Sequence, residues 1–171
     1  IEPNVRVMKA FGNNVMNKGL SPFVGFGVSA NFEMYKGFGL GGEYNYMTAN
    51  LNKDNLGSLF GYMTAPTMNN YELYAFYKHE IGEDLFLEEL AGLSIYRINS
   101  KFIDQGGKFN EGNTGFHVGG KLVYTLDREG TQQVVLGTKL NYYTASIRNE
   151  NPEIEKFYSK AWFANISVAY R

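Results

Sequence analysis

Between Phe23 and Tyr35 the chain reads FVGFGVSANFEMY, and every even position, from Val24 through Phe26, Val28, Ala30 and Phe32 to Met34, is apolar. The odd positions between the ends, Gly25, Gly27, Ser29, Asn31 and Glu33, are small or polar. Successive side chains of an extended chain point to opposite sides, so period two makes a strand with two unlike faces. Helical stripes of apolar residues occur nowhere in the chain, and whatever it folds into is built from strands of this kind.

The alternation recurs. From Phe38 to Thr48 the apolar face carries Phe38, Leu40, Gly42, Tyr44 and Tyr46. From Asn70 to Ile81 it carries Tyr71, Leu73, Ala75, Tyr77 and Ile81, against Glu72, Tyr74, Phe76, Lys78 and Glu80. From Phe116 to Leu126 the residues Phe116, Val118, Leu122, Tyr124 and Leu126 stand against His117, Gly119, Lys121 and Thr125. Val134 to Ser146 repeats the pattern against Lys139 and Asn141, and the last strand sets Trp162, Ala164, Ile166, Val168 and Tyr170 against Asn165 and Ser167. Asn4 to Gly12 and Asp84 to Lys101 complete eight strands. In the second of these, the register of Ala91, Leu93 and Ile95 extended backwards puts Glu89 on the apolar face, which predicts a bulge or longer turn near Glu88.

Short and long connections alternate. Tyr35 to Phe38, Ile81 to Asp84 and Leu126 to Thr131 read as tight hairpin turns with Gly where φ > 0 is wanted. Gly12 to Pro22, Asn52 to Asn69, Phe102 to Asn113 and Glu150 to Phe157 read as long polar loops, with both chain ends on the short-turn side. Length, 171 residues, fits one domain spanning 1–171. Zero cysteines exclude a disulfide scaffold and any thiolate-held metal, and a net charge of −1 gives no electrostatic footprint for nucleic acid. The chain lacks a run of about 18 apolar residues for a spanning helix. It does not open on a basic-then-apolar leader, so any export signal is expected to have been removed already.

Which face is wet decides the class. Here the polar face is rich in Gly, Ser and Asn, which fit the crowded inside of a narrow barrel, while the apolar face carries large and often aromatic residues. Tyr71, Phe116 and Trp162 fall toward the loop end of their strands, and Phe38, Tyr77, Tyr124 and Tyr170 toward the turn end. That placement matches aromatic girdles on either side of a lipid belt. The expected fold is all-β: an eight-stranded antiparallel up-and-down transmembrane β-barrel, closed because lipid cannot satisfy an open strand edge.

These features, with the closing strand AWFANISVAY, resemble the small eight-stranded outer-membrane barrels of Gram-negative bacteria, of the outer-membrane protein A and X type, over essentially all 171 residues. The bias toward Asn, Lys, Tyr and Phe also resembles Bacteroidota outer-membrane barrels. The resemblance implies a bacterial outer-membrane location, contact with outer-membrane lipids, and a charged plug inside the barrel. One departure stands out: such barrels usually end on an aromatic residue, and here Tyr170 is followed by Arg171.

Candidate chemistry is sparse. Glu43, Lys121 and Lys139 project to the polar face at similar height, with Glu33 below and Glu72 above, and a buried charge must be paired. A structural charge network of these five residues is expected. The two histidines cannot share a metal, since His117 points inward near the loop end and His79 outward near the turn end. Neither stands in a His-x-Ser arrangement of the kind that lipid A-modifying barrels use, so no catalytic residue is expected. Gly37 to Gly42 (GFGLGG) matches a phosphate-binding motif in letters only, because no helix follows it. No cofactor or metal site is expected, and Asn165-Ile166-Ser167, a glycosylation sequon, lies mid-strand. The loop Asn52 to Asn69 carries Leu56, Leu59, Phe60, Tyr62 and Met63, many apolar groups for a solvated segment, and is the candidate partner-binding loop. Glu150 to Lys156 reads as an acidic solvated tip.

The sequence therefore points to a non-enzymatic integral outer-membrane barrel with a structural or protein-interaction role, freestanding or an accessory subunit of a larger outer-membrane complex. Its partners would meet extracellular loops or the barrel wall. A lipid A-modifying enzyme and a soluble lipid-binding barrel are the alternatives.

Overall fold

The computed structural model describes residues 1–52, 63–103, 107–127 and 129–171. Eight strands run β1 (Glu2–Phe11), β2 (Phe23–Tyr35), β3 (Phe38–Thr48), β4 (Thr67–Gly82), β5 (Leu85–Lys101), β6 (Lys108–Thr125), β7 (Gln133–Thr144) and β8 (Lys160–Tyr170). Each pairs antiparallel with its neighbours in sequence, and β1 pairs with β8 from Asn4↔Ala169 to Phe11↔Trp162, closing the sheet. Closure leaves no strand edge with unpaired amides, the condition for a sheet in hydrocarbon. Among the described residues two short helices, α1 (Val15–Gly19) and α2 (Pro152–Ser159), sit in the first and last long loops.

The pairing fixes the shape. From Phe38 the register passes through Tyr77, Glu89, Gly120, Thr138, Ile166, Val7 and Val24, and returns to β3 at Thr48, ten residues higher. Eight strands with that stagger tilt by about 40°, so the ten residues climb about 25 Å along the barrel axis. Outward along this height stand Val5, Val24, Phe26, Leu40, Leu73, Leu93, Val118, Leu136 and Ile166, all exposed. The belt is bounded above by Tyr44 on Tyr71 (5.1 Å between ring centres) and by Phe116, Tyr142 and Trp162, whose rings lie 4.8–5.9 Å apart. Below, Phe38 packs on Tyr77 at 4.6 Å. A wall of this composition is suited to face hydrocarbon.

Three expectations need correction. No bulge interrupts the strand near Glu88: the register runs unbroken through Glu88↔Lys121 and Glu89↔Gly120, so Glu88 points inward and Glu89 stands on the outer wall. Half of the loop Phe102 to Asn113, from Lys108 on, is strand, since β5 and β6 stay paired up to Lys101↔Lys108. Above the lipid belt the outer face is wet, so the outward apolar positions that mark a strand lower down are lost while the ladder continues. The loop Glu150 to Phe157, though its acidic tip is solvated as expected, carries α2, with Asn151 capping it by accepting from the Glu153 amide at 2.9 Å and Pro152 opening it.

At the turn end, Lys36 (φ 47°) and Gly37 (φ 86°) make the two-residue turn whose twist suits a hairpin. The β6–β7 turn is held by Asp127, whose carboxylate accepts from the Thr131 hydroxyl and, at 3.0 Å, from the Gln132 amide. These bonds favour the ionised form and hold the Asp127 carboxyl below its ordinary range. Their contribution is present above the unfolded-state pKa and is lost as pH falls through the lower folded one. NMR titration of Asp127 is expected to show the lowered midpoint, and Thr131→Val to raise it.

Candidate functional site

The inner face of the barrel is stratified. At the loop end it is apolar: Met8, Phe23, Met47, Met68, Ile98 and Phe163 pack with Val15 and Met16 of α1. Tyr96 and Tyr143 stack just beside them, 3.9 Å between ring centres. This inner cap is absent from the sequence reading, because the inward positions of the lower strands are polar and only the top of each strand turns apolar.

Below the cap lies an ionic network. Lys139 donates to Glu43 at 2.6 Å and to Glu72 at 2.5 Å, and Arg6 pairs with the other oxygen of Glu43. Glu72 also accepts from the amides of Asn70 and Asn141, each at 2.9 Å. One step lower, Tyr74 lies between two ammonium groups, with Lys139 at 5.2 Å and Lys121 at 5.4 Å from its ring centre. Lys121 reaches Glu2 at 2.9 Å, and Glu2 accepts further bonds from Ser29 and Asn31. At the turn end Arg171 folds inward, pairing with Glu2 and gripping both oxygens of Glu88 at 2.9 and 3.2 Å. Four carboxylates thus meet four cations along the axis. Each charge is desolvated and each is answered, the condition under which a buried pair persists.

Of the residues singled out from sequence, the structure brings Glu43, Glu72 and Lys139 into direct contact, and places Lys121 one tier below with Glu2. Glu33 stands apart from them: it is exposed near the turn end and accepts from the Gly37 amide at 3.1 Å. Arg6, Glu2, Glu88 and Arg171 were not anticipated. Arg6 and Glu2 lie on the short first strand, Glu88 behind the expected bulge, and Arg171 past the last aromatic residue. For Arg6 the inward parity of β1, opposite Val5 and Val7, was the available signal.

The residue that departs from the usual aromatic ending therefore has a structural place. With its side chain 22% exposed, Arg171 seals the turn end of the lumen. Arg171→Ala leaves Glu88 buried without its cation and is expected to cost about 2 kcal/mol. Urea unfolding in lipid vesicles measures this, with Arg171→Lys falling between.

His117 meets a serine across the β5–β6 ladder, although no sequence spacing announced it: Ser94 Oγ lies 2.8 Å from His117 Nδ1, and Glu72 lies 4.0 Å from Nε2. Both members are sealed in the lumen, His117 at 0% and Ser94 at 1% exposure, beneath the apolar cap. A nucleophile needs a substrate carbonyl within reach, and a lipid acyl chain outside the wall has no path to this hydroxyl. His79 stands on the outer face beside Tyr77, 5.6 Å between ring centres. Among the described residues no cluster has the makings of a metal site.

Leu56, Leu59, Phe60 and Tyr62 lie outside the described residues. Met63 is described and is not free for a partner: it is 4% exposed and bridges to Phe102. The cavity beside it, about 380 Å³, is lined by Thr64, Thr67, Asn99, Lys101, Lys108 and Asn110, on strand extensions above the belt.

No family model matches the chain, and no curated protein matches it in sequence. Its fold is that of solved outer-membrane barrels. Neisserial surface protein A superposes with a TM-score of 0.65 at 13% identity, over 99% of this chain and 92% of that one. Ail of Yersinia pestis, in complex with the heparin analogue sucrose octasulfate, gives 0.56 at 14% identity over 99% and 92%. The outer membrane enzyme PagL gives 0.56 at 12% identity over 99% and 98%.

Proposed function

We propose that residues 1–171 form one integral barrel domain of the bacterial outer membrane, that this barrel is neither an enzyme nor a channel, and that it acts through its surfaces as a structural or protein-interaction component. The observation that carries this reading is the filled lumen. An apolar cap and a continuous run of buried ion pairs occupy the only space in which an eight-stranded barrel could pass a solute. The one serine–histidine pair is buried in that same filling. What remains to do work is the outside: loops at one end and the apolar wall. The Ail barrel in complex with a heparin analogue supports a binding role for a scaffold of this kind, and loops on a rigid scaffold are where binding residues usually sit. The network of Glu43, Glu72, Lys121 and Lys139 is, on this reading, structural.

The test starts from the isolated outer-membrane fraction. Unheated protein is expected to run faster on a gel than boiled protein, because a closed barrel stays compact in SDS. A chain found in the soluble fraction with no such shift would overturn the membrane reading and favour a soluble lipid carrier. Deleting residues 56–63 is expected to spare the shift and abolish co-purification of partners; unchanged co-purification removes the loop from the interaction. Lipid A mass in cells overexpressing the chain is expected to be unchanged, and a change lost in His117→Ala would establish the enzyme reading instead.

A further inference from the structure

The lipid belt carries one acidic side chain among the described residues: Glu89, exposed on the outer wall of β5 between Leu87 and Ala91. Its cross-strand neighbours are Tyr77 on β4 and Gly120 on β6. One register step above Tyr77 and two above Phe38 put it about 3–6 Å into the belt from the lower aromatic girdle. There it makes no hydrogen bond or ion pair with any described residue. It borders a shallow groove of about 390 Å³, lined by Phe38, Ala75, Tyr77, Ala91 and Val118. The carboxylate and the groove therefore coincide.

A carboxylate facing hydrocarbon without a partner is unfavourable, and ionisable groups at such depth are retained where something pairs with them. We infer that the groove around Glu89 is the contact by which this barrel packs, in the plane of the membrane, against a different integral membrane protein that presents a Lys or Arg at the same depth on an apolar segment. Charge complementarity selects that occupant. A lipid tail fills the groove but leaves the carboxylate unpaired. A second copy of this chain does not answer it either: an axis normal to the membrane keeps equal heights together, so a symmetric pair centred here sets Glu89 against Glu89. This rests on the interaction role proposed above and names its wall and its partner chemistry.

The experiment places a photo-crosslinking phenylalanine at Val118 or Leu93, on the groove's rim, and at Val168 on the opposite wall, in the full chain in its own outer membrane. The expected result is an adduct from the rim positions alone. Its partner peptide should map to a membrane-embedded segment containing Lys or Arg. The adduct should persist in Glu89→Asp and fall at least tenfold in Glu89→Leu and Glu89→Lys. No protein adduct, an adduct indifferent to Glu89→Leu, or an adduct of two copies of this chain each overturns the inference. In vesicles holding the purified barrel alone, Glu89→Leu should raise the urea midpoint; an unchanged or lower midpoint shows a carboxylate needing no partner and also overturns it. The heat-dependent gel shift confirms that every variant is a folded barrel. If rim adducts are absent while deletion of residues 56–63 still abolishes co-purification, the wall site falls and the interaction role stands. If co-purification survives that deletion too, both fall.

Discussion

Lys139→Met is expected to destabilise the folded barrel by about 3–5 kcal/mol in vesicles, the largest effect of any single lumen substitution. Among the described residues Lys139 is the only cation that touches both Glu43 and Glu72, and all three side chains are almost wholly buried. Its removal leaves Arg6 for Glu43 and only amide donors for Glu72, so one carboxylate must protonate or remain unanswered in a low dielectric. Equilibrium urea unfolding reads the loss. Adding Glu72→Gln to Lys139→Met should recover part of it, because the second change removes the orphaned charge. A single-variant loss below about 1 kcal/mol would mean that the network is hydrated and does not hold the barrel together.

Leu73→Arg tests the other face with nearly as large an effect. Leu73 is 65% exposed and, by the register, sits near the middle of the belt between Tyr71 and Tyr77. If lipid covers the wall, an arginine there costs about 2–4 kcal/mol, and the same change at Asn69, above the girdle, costs about 1 kcal/mol or less. If water covers the wall, both are nearly neutral. The ratio of the two measured losses therefore reports the solvent on the outside of the barrel, independently of where the protein fractionates.

The sequence resolved β2 and β3 to the residue, because most of Phe23–Tyr35 and Phe38–Thr48 lies within the belt, where one face meets lipid and the other a polar lumen. It lost the strand extensions Thr67–Asn69 and Lys108–Gly115, where the outward positions are polar and the apolar face that marks the strand lower down is missing. The bulge expected at Glu88 came from the premise that a charged residue does not face lipid. The unbroken ladder shows that Glu89 does, and the exception became the most informative position on the wall. Glu43, Glu72 and Lys139 were legible as candidates because inward parity and height can both be counted along a strand.

Alternation, turn chemistry and strand number are local properties, and from them the chain by itself determined an eight-stranded closed barrel with an apolar exterior. Which charges meet was decided only by closure. The stagger of ten residues around the barrel brings Glu2 of the first strand to Lys121 of the sixth, and folds Arg171 onto Glu88. The pairing of β5 with β6 sets Ser94 against His117, and the narrow bore buries both. Those contacts depend on tilt and on the narrow bore, which are properties of the whole sheet, and no spacing within one strand encodes them.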